Sequence, residues 1–207
     1  MLSDLVVSGV DDAVATVVAL HHAGSAAAQL GDVLKPLLDG LPAIQLVLPQ
    51  AERPRGNGFT WFHADYYSNP LVQAETLARV ADGLAERLKA HAPFVVTGVS
   101  QGGDLSLALA LRHPDLVVAA LPMLGILPDE LLPVDTTGLL PLYLFHGEAD
   151  PQVPIARARR TAQALAEQGA AVTLHTYPGV HHALSEELKL DWKSDLAAVL
   201  HRDTGVR

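Results

Sequence analysis

Short apolar runs rich in β-branched residues alternate with helix-length segments along nearly the whole chain, and this alternation constrains the fold more than any other feature. The runs "AIQLVLP" (43–49), "FVVTGV" (94–99), "LVVAALP" (116–122) and "PLYLFHG" (141–147) read as buried strands by length and composition. Helices are predicted between them at about Ala26 to Leu38, Pro70 to His91, Gln101 to His113 and Ile155 to Gln168. A last strand, "AAVTLHTYP", precedes a final helix from about Ser185. Near the start, "LVVSG" and "AVATVVAL" read as a strand pair joined at an Asp11-Asp12 turn. Leu77, Val80, Ala81, Leu84 and Leu88 recur at helical spacing and give one helix an apolar face for a sheet. The expected class is α/β: a mostly parallel central sheet with helices on both faces.

The chain's 207 residues, 49% hydrophobic, suffice for one buried core and fall short of two ordinary domains, so one domain over 1–207 is expected. Fourteen Lys and Arg stand against 23 Asp and Glu with no basic block, which argues against nucleic acid as a partner. The absence of cysteine excludes a disulfide scaffold, a thiolate nucleophile and cysteine-ligated metal. Apolar runs such as "LVVAALPMLGIL" are too short or too interrupted to span a bilayer, and "MLSDLVVSGVDD" has no signal-peptide pattern. The expectation is a soluble, cytoplasmic protein without stable membrane insertion.

Two long stretches interrupt the alternation. Residues 49–68, "PQAERPRGNGFTWFHADYYS", hold too much Pro and Gly to read as an element, and residues 125–141, "GILPDELLPVDTTGLLP", are apolar for a loop. Loops outside the carboxyl ends of parallel strands bind ligands in α/β domains. Trp61, Phe62, Tyr66, Tyr67 and the run from Leu124 through Ile126 to Leu127 are therefore candidates for the apolar lining of an open substrate groove, with no large lid domain.

Between the strand "FVVT" and a helix stands Gly98-Val99-Ser100-Gln101-Gly102. Gly-x-Ser-x-Gly in that context makes a sharp turn that lifts the serine off the sheet, and the flanking glycines leave room where a Cβ would strike a neighbouring element. Ser100 then sits at a helix N-terminus, where the Gln101 N–H and the helix dipole can stabilise an oxyanion. A serine nucleophile needs a base and an orienting carboxylate. Both follow later strands: "HGEADPQVP" carries Asp150 and Glu148, and "PGVHHALSEEL" carries His181 and His182. The order Ser, Asp, His is that of α/β-hydrolases.

Six patches, "LHHAGS", "WFHAD", "GVSQGG", "GILP", "HGEADPQVP" and "PGVHHALSEEL", occur in this order. With them the chain resembles the α/β-hydrolase superfamily, and within it the small carboxylesterase, lysophospholipase and acyl-protein thioesterase family, which is related to dienelactone hydrolases. The resemblance implies Ser100 as nucleophile, Asp150 as orienting acid, and His182, three residues after Gly179, as base. It adds the Ala23 N–H to that of Gln101 as an oxyanion donor, because the family has a Leu-His-Gly-x-Gly turn where this chain reads Leu20-His21-His22-Ala23-Gly24. His22 replaces a glycine there, Leu124 stands where serine or alanine is usual, and Asp104 occupies a position of small apolar residues. Asp104 in a first helical turn reads as a dipole-favoured carboxylate rather than a catalytic one.

Ten histidines raise the question of metal. Adjacent imidazoles such as His21-His22 and His181-His182 diverge on extended backbone, and no carboxylate at helical spacing completes a ligand set, so neither metal nor cofactor is expected. His63, His91, His113, His146, His175 and His201 read as packing or surface residues. The expected activity is cleavage of small carboxylic esters, including thioesters or lysophospholipids, through an acyl-enzyme. The alternatives are an acyltransferase using the same acyl-enzyme and a non-catalytic binding module of hydrolase shape. Homodimers are common in the resembling family, although no exposed stripe in this sequence argues for one.

Overall fold

A computed structural model describes residues 5–8, 13–67, 69–132 and 140–203. Its strands are β1 (Leu5–Ser8), β2 (Ala15–Leu20), β3 (Ile44–Leu48), β4 (Arg53–Arg55), β5 (Gly58–Thr60), β6 (Phe94–Val99), β7 (Val117–Met123), β8 (Leu142–Gly147) and β9 (Val172–Tyr177). The helices are α1 (Ala27–Leu34), α2 (Pro70–Leu88), α3 (Gln101–Arg112), α4 (Ile155–Glu167) and α5 (Glu186–Asp203), with short 3-10 turns at Lys35–Leu38, Ala64–Tyr67, Lys89–His91 and Asp129–Leu131.

Seven strands form one sheet in the order β1-β3-β2-β6-β7-β8-β9, parallel throughout except for β1. Period-two alternation divides each strand between two cores. Val18, Leu20, Val96 and Leu144 face α2, α3 and α4, while Val17, Ala19, Val95 and Phe145 face α1 and α5. Trp192 of α5 lies fully buried on the second face and donates its indole N–H to Thr97 of β6 at 3.0 Å, which fixes that helix over the sheet centre. The start of α2 follows from local chemistry: the Asn69 side chain accepts from the Val72 N–H at 2.8 Å, and Pro70 needs no donor in the first turn.

Two expectations are corrected. β1 pairs antiparallel with β3 and not with β2, because Val17 and Val18 of β2 are already bonded to β3 on one side and β6 on the other. The Asp11-Asp12 turn lies outside the described residues. Within the stretch expected to lack elements, β4 and β5 form a hairpin across Gly56-Asn57, with Gly56 at φ 59°. Pro54 opposes Phe59, whose N–H and C=O turn away from it to bond Ser25 O at 2.8 Å and Gly24 N at 2.7 Å. The proline therefore removes no ladder bond, and the hairpin docks against the turn after β2. Part of the second stretch, 133–139, lies outside the described residues.

Candidate active site

The carboxyl ends of β2, β6, β7, β8 and β9 all open on one edge of the sheet, and the turns leaving them carry the candidate residues. Ser100 joins β6 to α3 with φ 54° and ψ −116°, a sparsely populated conformation for a residue with a side chain. A serine at a helix N-cap ordinarily accepts a bond from the first turn. Ser100 makes no such cap bond, and its hydroxyl turns to His182 instead. Three glycines allow the tight turn to pack. A Cβ on Gly98 would fall 2.2 Å from Gly102 O, one on Gly102 would fall 2.0 Å from Leu20 O, and one on Gly103 would fall 2.8 Å from Met123 O.

His182 Nε2 lies 3.0 Å from Ser100 Oγ, and His182 Nδ1 lies 2.6 Å from Asp150 Oδ2. The other oxygen of Asp150 accepts the N–H groups of Gln152 at 2.8 Å and Val153 at 2.9 Å. Burial pushes the Asp150 carboxyl up, but the Val153 N–H, the His182 imidazole and the Gln152 N–H outweigh it and hold the group below its ordinary value. Asp150 therefore stays ionised at neutral pH and orients the Nδ1–H tautomer of His182. An imidazole held between a hydroxyl and a carboxylate can take the hydroxyl proton as the oxygen attacks a carbonyl carbon.

The rivals stand elsewhere. Glu148 is bound by Arg159 at 2.9 Å, and the exposed His181 takes no part in the Ser100–His182–Asp150 chain. The loop register that separates the two histidines is set at Gly147, where a Cβ would fall 2.3 Å from Val180 O, and by the Ala149 N–H bonding the same oxygen at 3.0 Å. His146 lies buried behind Asp150 and donates Nε2–H to Val153 O at 2.7 Å. Burial holds its imidazole below the usual range, so it tethers the Asp150 loop as a neutral ring.

Across the groove, Gln101 is the first residue of α3 and Ala23 lies in the turn after β2. His22 fits this turn without a left-handed backbone; that conformation falls on Gly24, at φ 82°. The turn is braced from behind by His21, which is fully buried. Its Nδ1–H donates to His22 O at 2.8 Å and its Nε2 accepts the Ala51 N–H at 3.2 Å, with burial keeping the ring neutral. Trp61 donates its indole N–H to His21 O at 2.7 Å. The Gln101 side chain accepts from Thr60 Oγ1 at 2.8 Å and Trp61 N at 3.3 Å, joining the start of α3 to the hairpin.

The groove at Ser100 encloses about 590 Å³ and is bordered by Val99, Leu124, Val153, His182 and Leu184, with Ala23 and His22 on one side and Arg55 and Gln152 at its polar edge. Of the expected apolar lining, only Leu124 among the described side chains borders it, at φ 56°; the Tyr67 side chain lies outside those described. Trp61, Phe62 and Tyr66 are instead buried, because the hairpin folds the first stretch down onto α2 and α3, and Ile126 of the second stretch is buried with its N–H bonded to Asp104 of α3. Phe62 stacks on Tyr66 with centroids 3.9 Å apart. Asp104 receives the Ile126 N–H at 2.8 Å and the Tyr66 hydroxyl at 3.3 Å, so one carboxyl pins both stretches to the helix that begins at Ser100. Burial pushes the Asp104 carboxyl up to about 7, against the pull of the Ile126 N–H, the Tyr66 hydroxyl and the Arg157 charge. It is a core residue rather than a surface carboxylate favoured by the helix dipole. Among the described residues no group of three His, Cys, Asp or Glu could hold a metal ion, and no helix is long and apolar enough to cross a membrane.

The mostly parallel sheet with helices on both faces, and with no large extra domain among the described residues, is the α/β-hydrolase fold. The chain belongs to the dienelactone hydrolase family, which matches residues 62–199. It is 37% identical over 102 residues to acyl-protein thioesterase 1 of Gibberella zeae, covering 46% of this chain and 43% of that protein. It is 34% identical over 145 residues to acyl-protein thioesterase 1 of Mycosarcoma maydis, covering 64% and 56%. The chain thus spans about half the length of the curated relatives it matches. Its backbone superposes on that of esterase PE8 with a TM-score of 0.82 at 23% identity, over 96% of this chain and 99% of the other, a likeness of fold.

Proposed function

We propose that this protein is a serine hydrolase that cleaves small carboxylic esters and thioesters by two-step acyl transfer. One observation carries the reading: Ser100 Oγ, His182 and Asp150 are joined by hydrogen bonds of 3.0 and 2.6 Å at the mouth of a partly apolar groove. Ser100 attacks the carbonyl carbon while His182 Nε2 accepts its proton, and Asp150 stabilises the imidazolium that forms. The backbone N–H groups of Gln101 and Ala23 receive the developing oxyanion, and each such donor contributes about 2.7–4 kcal/mol to the transition state. His182 returns its proton to the leaving alcohol or thiol. It then deprotonates the water that releases the acid from Ser100.

Val99, Leu124, Val153 and Leu184 give the acyl group an apolar wall, and the groove is open enough to admit a chain from solvent. Acyl-protein thioesterase relatives favour including thioesters among the substrates. A panel of p-nitrophenyl esters and acyl-thioesters of graded chain length tests the reading through kcat/KM. Turnover should be measurable in the wild type and absent in Ser100→Ala. A wild type no faster than Ser100→Ala on every member would overturn it.

A further inference from the structure

Trp61, whose indole N–H is held by the His21 carbonyl, also borders a second cavity of about 210 Å³ between β4 and the outer face of α2. Thr76, Arg79, Gly83 and Arg87 recur on α2 at spacings of three and four residues and so share one helix face, while Arg53 reaches the cavity from β4. Three of the chain's fourteen Lys and Arg thus surround one small cavity in a protein of formal net charge −9. Three other arginines are paired with carboxylates: Arg112 with Asp82, Arg159 with Glu148 and Arg160 with Asp129. Arg53 and Arg79 have no ion-pair partner among the described residues. Glu52 also borders the cavity and makes no ion pair among the described residues, leaving three arginines against one carboxylate around it.

Two further features point to a ligand. Thr76 is only 9% exposed, and its hydroxyl, which makes no hydrogen bond to any described residue, belongs to a residue that lines the cavity. Gly83 stands in the interior of α2, where glycine is less favourable than alanine, although a Cβ there would meet no atom within 4 Å. Packing gives no reason for a glycine there, and Gly83 leaves the face between Arg79 and Arg87 without a side chain.

Guanidinium groups bind phosphoryl and carboxylate oxygens through paired N–H donors. Arg79 and Arg87 share one face of α2 and Arg53 borders the same cavity from β4, so three guanidinium side chains are available to more than one oxyanion group. We propose that this cavity is a binding site for a small polyanion carrying at least two phosphoryl or carboxylate groups, held by Arg53, Arg79 and Arg87 with the Thr76 hydroxyl donating to it. The site is separate from the Ser100 groove and does not depend on hydrolase activity.

Isothermal titration of the full chain at fixed ionic strength, with inorganic pyrophosphate and then with citrate, tests the proposal. One saturable site per chain is expected for at least one of them, and the tighter binder identifies phosphoryl or carboxylate as the group read. Arg79→Gln, Arg53→Gln and the near-isosteric Thr76→Val should each weaken it at least about tenfold, as loss of a charged or buried hydrogen-bond partner does. Arg55→Gln, in the other groove, should leave it unchanged. Thermal melts matching wild type would show that the variants are folded. Absence of saturable binding by both anions, binding indifferent to Arg79→Gln and Thr76→Val, or binding lost only with Arg55→Gln would overturn it.

Discussion

Gly102 presses so closely on the Leu20 carbonyl that a Cβ on it would lie 2.0 Å from that oxygen. The first turn of α3 and the turn carrying Ala23 are thereby held at backbone contact, which sets the separation between the two proposed oxyanion donors. Gly102→Ala must push them apart. The expected result is a loss of about 1–3 kcal/mol of stability from overpacking in urea denaturation, together with a fall in kcat of at least about tenfold from one misplaced donor. Wild-type kcat in Gly102→Ala would contradict this view of the contact.

The adjacent histidines provide a sharper contrast, because they share chemistry and differ only in direction. His182→Ala should lower ester turnover by about 10²–10⁴-fold, the range of a lost general base, while His181→Ala keeps at least about a tenth. Matched melting curves for the two variants would rule out a folding difference. The reverse ranking would remove His182 from the mechanism.

Asp104 makes a prediction about pH. An unfolded aspartate ionises near about pH 4, whereas burial in the folded chain raises this carboxyl to about 7. Between those values the folded state holds a proton that the unfolded state has lost, so the contribution of Asp104 to stability falls as pH rises through the window and levels off above it. Asp104→Asn keeps an acceptor for the Ile126 N–H and does not titrate. Its urea midpoint should therefore gain on that of the wild type between about pH 5 and pH 7.5. A midpoint difference independent of pH would show that the carboxyl does not titrate in this range.

Much of this architecture is legible in the sequence because strands covered on both faces leave continuous apolar runs, as "FVVTGV" does for β6. The turn at Ser100 is legible for a related reason: its glycines are demanded by contacts within a few residues. Long-range choices leave no such mark. Nothing local tells β1 to pair with β3, and the β4–β5 hairpin is concealed by Pro54, whose missing N–H matters only once the pairing register is known. The same hairpin explains the groove. It buries Trp61 and Phe62 and brings Arg55 to the edge, so aromatic content points to the wrong wall. Asp104 and His21 show a second limit, since a polar residue that closes a buried network has the same letter as one on a solvated face.

Reaction with a fluorophosphonate probe, followed by intact mass and peptide mapping, measures the central claim most directly. One adduct per chain is expected, located on Ser100, absent from Ser100→Ala and strongly slowed in His182→Ala while His181→Ala reacts at nearly the wild-type rate. A folded wild-type chain that fails to label, or that labels at any residue other than Ser100, would contradict the assignment of the Ser100–His182–Asp150 chain as the hydrolytic centre.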